Sequence, residues 1–247
     1  MMAFLEKLLG KQAEGPDTLF LTPTEWKTLM DQVLSPLMER ELGLTHLGGY
    51  LWAGPWEDHR RKIVQVFLTN QAYGTLQWGW SLGFVPHVSG KKLAWHRTDK
   101  SARLDVWEVS RDFIEAGTGP ARKKREAVVF SAYGPDRASM ENRHRRAFRT
   151  LLPLIRAYYA GTDTPERLLA AMEAALEDSY YRFTQAVPLT VSAAFLAAAL
   201  GHPERGQELL AGLDWKDDYQ NTARLLEEKL ARQPPLWGGG TPNDADH

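Results

Sequence analysis

The stretch that decides the fold is residues 75–85, TLQWGWSLGFV. Large apolar side chains occupy every second position, which predicts a β-strand with one apolar face and one face of small or polar groups. The apolar face needs a cover from elsewhere in the chain, and it carries Leu76, Trp78, Trp80, Leu82 and Phe84. The other face carries Thr75, Gln77, Gly79, Ser81 and Gly83.

Two interpretations of this second face stay open. Its glycines allow another element to approach closely, and we favour the acidic helical half of the chain as that element. In the other interpretation the face is an open docking surface for a partner. The sequence alone does not decide whether Gln77, Gly79, Ser81 and Gly83 are buried or exposed.

A helix precedes the strands and is the first candidate for the cover of the tryptophan face. Thr22 suits the N-cap, Pro23 the first helical position, and Glu25 completes a capping box. Pro36 predicts a kink or a division within this helix, and Gly43 is a natural end. The apolar residues at helical spacing are Trp26, Met30, Val33 and Leu37.

The remaining chain separates into a run of strands and a run of helices. Further strands are predicted at residues 50–53, 63–68, 93–96, 104–109 and 127–133. Short connections favour antiparallel pairing of consecutive strands. Helix starts follow at Asp136, Thr164, Pro203 and Asp214, and an alanine-rich helical segment at 189–200 should be buried. We therefore predict an α+β fold with an N-terminal helix, an antiparallel β-meander of about five or six strands and a C-terminal helical bundle.

These elements divide the chain into four segments. Residues 1–21 form an N-terminal arm, residues 22–133 the helix plus antiparallel sheet, and residues 134–232 a helical half packed on the sheet. Residues 233–247 contain adjacent prolines and a run of glycines, so we expect a disordered tail there.

The composition limits the kinds of site that the chain can build. Its 247 residues include no cysteine, which excludes disulfides, thiolate metal sites and thiol nucleophiles and fits a reducing compartment. Glu6 interrupts the apolar residues near the N-terminus, so we expect no signal peptide. No apolar run reaches the length of a membrane span. The expected location is the cytoplasm, without a membrane partner.

Motifs of known catalytic sites are absent from the sequence. The 7 histidines show no metal-ligand spacing, and neither nucleophile elbows nor nucleotide-binding glycine patterns occur. Glu57, Asp58 and His59 are followed by basic residues, which indicates a solvated turn. Asp105 and Glu108 lie three positions apart on a predicted strand and therefore on opposite faces. We assign no catalytic residue, metal or cofactor and favour a non-catalytic role; a hydrolase assembled from distant residues is the second alternative.

The charge of the chain is unevenly distributed although its net value is −1. Residues 91–160 hold 16 basic and 8 acidic residues, whereas residues 161–247 hold 7 and 14. The basic residues form a loop run before a strand and a set on the following helix: Arg122, Lys123, Lys124 and Arg125, then Arg143, Arg145, Arg146 and Arg149. These side chains pair with the acidic C-terminal helices, stay solvated, or converge to bind an acidic protein or nucleic acid.

A series of structural motifs over about residues 24–115 resembles a known family. After the leading helix come Gly49-Tyr50-Leu51-Trp52, a strand rich in valine and glutamine at 63–68, and Ser81-Leu82-Gly83-Phe84. This order resembles a bacterial family of domains of unknown function, which is similar to immunity proteins that bind and neutralise a cognate toxin. The resemblance implies a non-catalytic role and carries over no functional residue.

The leading hypothesis is thus a non-catalytic cytoplasmic protein that binds another protein, in the immunity case a toxin, and acts by occluding it. The first alternative is a nucleic-acid-associated component of a bacterial defence system that uses the same basic residues. The net charge near zero and the lack of a recognised nucleic-acid-binding module weigh against that alternative.

Overall fold

The computed structural model describes residues 18–69, 72–89, 92–95, 98–114, 119–215 and 219–237, except for the side chains of residues 89 and 179–187. The strands within these ranges are β1 (Leu19–Phe20), β2 (Thr45–Gly48), β3 (Leu51–Ala53), β4 (Arg60–Leu68), β5 (Tyr73–Leu82), β6 (His87–Ser89), β7 (Lys92–Ala94), β8 (Val106–Val109), β9 (Phe130–Ser131) and β10 (Tyr133–Gly134). The α-helices are α1 (Pro23–Leu42), α2 (Arg111–Ile114), α3 (Pro120–Ala127), α4 (Arg137–Gly161), α5 (Pro165–Glu177), α6 (Ser179–Ala199), α7 (Pro203–Ala211) and α8 (Gln220–Leu230).

The main sheet is antiparallel and six-stranded, with the order β2-β3-β4-β5-β8 and with β9 paired to the first residues of β5. Its centre is the long hairpin of β4 and β5, in which Arg60 lies opposite Leu82 and Leu68 opposite Gly74. A helix precedes this sheet and helices follow it. The predicted α+β fold is confirmed.

Parts of the strand prediction differ from the structure. Residues 93–94 belong to β7, which pairs with β6 in a separate hairpin. Pro86 has no amide hydrogen to continue the ladder of the main sheet, and it separates this hairpin from β5. Residues 127–133 are divided between the end of α3, β9 and β10, and β10 pairs with β1. The predicted arm at 1–21 lies outside the described residues except for its last four.

Helix α1 follows its predicted capping signals. The Thr22 hydroxyl accepts the Glu25 amide at 3.3 Å, and the Glu25 carboxylate accepts the Thr22 amide at 2.8 Å, which completes the capping box. Gly43 ends the helix in the left-handed region at φ 66°. Pro36 lies inside the helix, which continues through it rather than dividing.

The tryptophan face of the sheet packs against α1 and α4. Cross-strand pairing places Trp52, Val64 and Trp78 in one row, and all three are buried in the same core as the apolar side of α1. The rings of Trp80 and Tyr159, which lies on α4, meet edge to face with 5.3 Å between their centroids. Helix α1 covers the tryptophan face as predicted, but α4 covers part of it as well.

The second face of β5 is buried, but the element that approaches its glycine is a strand. Gln77 and Ser81 are 3% and 0% exposed. A Cβ on Gly79 would lie 2.0 Å from the Val106 carbonyl oxygen of β8, so only glycine fits there. Trp107 lies opposite Gly79 and packs on the small apolar cluster of this face. The expectation that the acidic helical half makes this close approach is wrong.

The C-terminal helices form a bundle against one end of the sheet. Helix α6 packs on α5, α7 and β8, and α8 packs on β7. Gly201 provides the left-handed turn between α6 and α7 at φ 87°. A Cβ on Gly206 would lie 2.6 Å from the Ala194 carbonyl oxygen, so this glycine permits the close contact of the two helices.

The segment after α8 differs from the expected disordered tail in its first residues. The amide of Leu236 donates to the Ala199 carbonyl at 2.7 Å, and the Trp237 ring lies edge to face with Phe84 at 5.4 Å. Residues 233–237 therefore return to the end of α6 and the sheet. Residues 238–247 lie outside the described residues.

Candidate functional site

The first basic cluster lies on a helix, whereas the sequence analysis placed it in a loop. Arg122, Lys123, Lys124 and Arg125 belong to α3, which starts with Gly119 at φ 60° and Pro120 at the first helical position. Proline suits that position, and arginine, lysine and alanine have high helix propensity. The local composition therefore favours a helical turn even though none of its residues is buried.

The second basic cluster lies on α4, which contacts α3. The helix starts at Asp136, as predicted, and the Asp136 carboxylate accepts the Ser139 amide at 2.7 Å. Its buried stripe faces the core, and the basic residues lie on the other sides of the helix: Arg143, Arg145, Arg146 and Arg149. We call these eight side chains on α3 and α4 the basic surface.

Most cations of the basic surface have no counterion within the described part of the chain. Arg122 pairs with Glu126 at 2.8 Å and Arg145 with Glu141 at 3.9 Å, in each case within one helix. The other six form no ion pair with any described acidic side chain: Lys123, Lys124, Arg125, Arg143, Arg146 and Arg149. Pairing with the acidic C-terminal helices was the first interpretation of these clusters. No such ion pair occurs in the described part of the chain.

The acidic side chains of the C-terminal half instead have partners of their own. Asp163 pairs with Arg167 at 2.9 Å, and Glu173 pairs with Arg205 at 2.8 Å. Glu228 forms an ion pair with Arg224 on the same helix. Arg111, which is outside the basic surface, pairs with Asp178 at 2.6 Å, but no described acidic side chain of the C-terminal half pairs with the basic surface, which retains its positive field.

A stack of aromatic rings lies next to one residue of the basic surface. The rings of Phe20 and Tyr133 are stacked with 4.6 Å between centroids, and those of Tyr133 and Tyr73 with 5.7 Å. Arg143 donates to the Tyr133 carbonyl at 3.2 Å. Phe20 is 47% exposed, so the outer ring of this stack is open to solvent.

A buried polar cluster lies at the other end of the sheet. Arg61 donates to the Asp99 carboxylate at 2.6 Å, and its guanidinium lies 4.6 Å from the centroid of the Trp56 ring. Asp105 accepts the Leu82 amide at 2.7 Å, and burial raises the pKa of Asp105 to about 6. These contacts fasten the segment before β8 to the sheet, so the cluster is structural.

This cluster was not predicted, because the strand was expected to begin at residue 63 and the cations before it were assigned to a turn. In the structure β4 begins at Arg60. Arg61 lies opposite Ser81, on the same buried face of the sheet as Gln77 and Ser81. Extending the alternation of β4 backwards by three residues would have placed Arg61 inside. The Asp58–His59 turn explains the error, because both residues have positive φ and the strand resumes directly after them.

His144 of α4 is another buried titratable group. Its Nε2 lies 3.3 Å from the Ser131 amide, which donates to it, and the side chain is 0% exposed. Burial lowers the pKa of His144 to about 4, so the imidazole is neutral at physiological pH. It lies among core residues and not in a ligand site.

The described residues do not contain a set of three histidine or acidic side chains that could hold a metal ion. None of the helices in the described ranges is long and apolar enough to cross a membrane. Compared with known proteins, the chain matches no family model, no curated protein and no solved structure.

Proposed function

We propose that this protein is a non-catalytic binding protein that attaches to an acidic protein partner through the basic surface. The observation that carries the proposal is that most cations of the basic surface have no counterion among the described residues. Lys123, Lys124, Arg146 and Arg149 have no ion pair with a described acidic side chain, although the chain contains as many acidic as basic residues to within one charge.

The physical reason is complementarity. A surface that keeps several cations on two neighbouring helices attracts a negatively charged partner, which raises the association rate and rejects basic proteins. The more specific proposal that the partner is a toxin and that binding occludes it rests on the family resemblance alone.

Charge reversal on the basic surface is expected to abolish partner binding. The test variant carries Lys124→Glu, Arg146→Glu and Arg149→Glu, which have no ion pairs to break, so the fold should be unaffected. Tagged protein is used for capture from lysate of the native organism at low and high salt, followed by mass spectrometry. We expect one acidic protein, held near equal stoichiometry by the wild type, to be lost with this variant.

A matched control carries Lys27→Glu, Lys92→Glu and Arg232→Glu, exposed residues outside the basic surface with the same change of net charge. The control should retain the partner. Retention of the same proteins by all three forms would contradict the proposal, because binding would then not depend on the basic surface. Affinity of the purified pair should fall at least about tenfold on reversal, which corresponds to about 1.4 kcal/mol.

The second candidate function is binding of single-stranded nucleic acid, and the stack of Phe20, Tyr133 and Tyr73 beside Arg143 favours it. Bases stack on exposed aromatic rings while cations follow the phosphates. A fluorescent oligothymidine should then bind with an affinity that falls steeply with salt. Phe20→Ala should weaken it at least about fivefold, given that stacking contributes about 1–3 kcal/mol per base. An affinity unchanged by salt would exclude this candidate.

A further inference from the structure

A cavity of about 260 Å³ lies between β8 and the helices α4, α5 and α6. Its walls are mainly apolar and include Met172 and Leu189, which are buried, and Ala175, which is half-buried. An apolar cavity of roughly 150 Å³ admits a benzene ring. The volume found here therefore suits a two-ring aromatic group with a short side chain.

One wall of the cavity carries a buried hydroxyl, that of Tyr158. The Tyr158 hydroxyl is buried and forms no hydrogen bond within the described part of the chain. Burial, together with the negative charge of Glu108, raises the pKa of Tyr158, so the group remains a neutral hydroxyl. A buried hydroxyl without a hydrogen bond is unfavourable, and a bound molecule that pairs with it removes that cost.

A second wall carries the carboxylate of Glu108, which has no counterion among the described side chains. Glu108 lies on β8, and its Oε1 accepts the amide of Val109 at 3.0 Å. No described cation forms an ion pair with Glu108. A carboxylate can only accept hydrogen bonds, so the polar part of a molecule bound here has to donate them.

We propose that this cavity binds a compact aromatic amine, with the ring between Met172 and Leu189 and the ammonium group at Glu108 and Tyr158. The apolar walls take up the ring by burial, while the carboxylate supplies the charge that the amine needs. The Tyr158 oxygen accepts a second hydrogen bond from the ammonium group. This site is separate from the basic surface and does not depend on the function proposed for it.

The probe is tryptamine, and its matched control is indole-3-propionate, which has the same ring and the opposite charge. Isothermal titration calorimetry of the full chain measures both. We expect tryptamine to bind at least about tenfold more tightly, because only the amine pairs with the Glu108 carboxylate. No measurable binding of tryptamine at millimolar concentration, or equal affinity for the two probes, would overturn the proposal.

Three substitutions locate the binding. Glu108→Gln should remove the preference for the amine, and Tyr158→Phe should weaken tryptamine binding by about three- to tenfold. Ala175→Phe fills the cavity and should abolish binding, whereas Ala174→Phe, on the exposed side of the same helix, should leave it unchanged. Wild-type affinity in Ala175→Phe would place the probe elsewhere. Should Ala175→Phe fail to fold by circular dichroism, the Glu108→Gln and Tyr158→Phe titrations decide in the same way.

Discussion

Gly79→Ala is expected to lower the free energy of unfolding by about 4 kcal/mol or more, which is at the far end of the range for single substitutions. The new Cβ would lie 2.0 Å from the carbonyl oxygen of Val106 and 2.8 Å from the Cα of Trp107. Both atoms belong to the backbone of β8, so no side chain can rotate to make room. The strand has to move away from β5, and its hydrogen bonds to β5 are lost. Urea unfolding followed by tryptophan fluorescence measures the change.

Gly83→Ala is the matched control for this substitution. Gly83 follows β5 and belongs to the same alternating face, but a Cβ there would be 3.4 Å from its nearest neighbours, an ordinary contact. We expect stability to stay constant or to rise by up to about 1 kcal/mol, since alanine restricts the unfolded chain. If Gly79→Ala and Gly83→Ala behave alike, β8 does not approach β5 as described.

Asp105→Asn is expected to change the pH dependence of stability. The pKa of Asp105 is raised in the folded protein from 3.8 to about 6, so the folded state holds the proton more tightly than the unfolded state. The contribution of this group to stability is therefore fully present below pH 3.8 and is lost as the pH rises to 6. The loss amounts to about 3 kcal/mol, and asparagine does not titrate.

The measurement is the difference in unfolding free energy between Asp105→Asn and the wild type at several pH values. This difference should increase by about 3 kcal/mol in favour of the variant between pH 4 and pH 7, whatever its value at pH 4. A difference that does not vary with pH would show that Asp105 is not buried as a carboxyl group.

The sequence was sufficient for features whose cause is local. The N-caps at Thr22, Asp136 and Thr164 follow from one side chain and the amide three residues later, and each appears in the structure. The alternation of apolar residues over 75–85 likewise predicts a strand without any distant contact. The order of strands and helices along the chain predicts the α+β class.

What covers each face depends on contacts between distant residues, and these were not predicted. The approach of β8 to Gly79 joins positions 27 to 28 residues apart, and Arg61 reaches Asp99 across 38 residues. The basic surface shows the same limit. Its residues were identifiable from charge. Whether they pair with the acidic helices depends on how α3 and α4 are placed, and among the described residues they do not.

The buried imidazole of His144 has a consequence for the behaviour of the whole molecule in acid. Its pKa is lowered from 6.5 to about 4, so the stability that the neutral ring contributes is lost as the pH falls through this interval. Asp105 gains stability over nearly the same interval, and the two changes are each about 3 kcal/mol. The two changes have opposite signs. As the pH falls, the stability lost at His144 is offset by the stability gained at Asp105. Between pH 6 and pH 4 the contributions of these two sites largely offset each other, which leaves the pH dependence of stability to the other titratable groups.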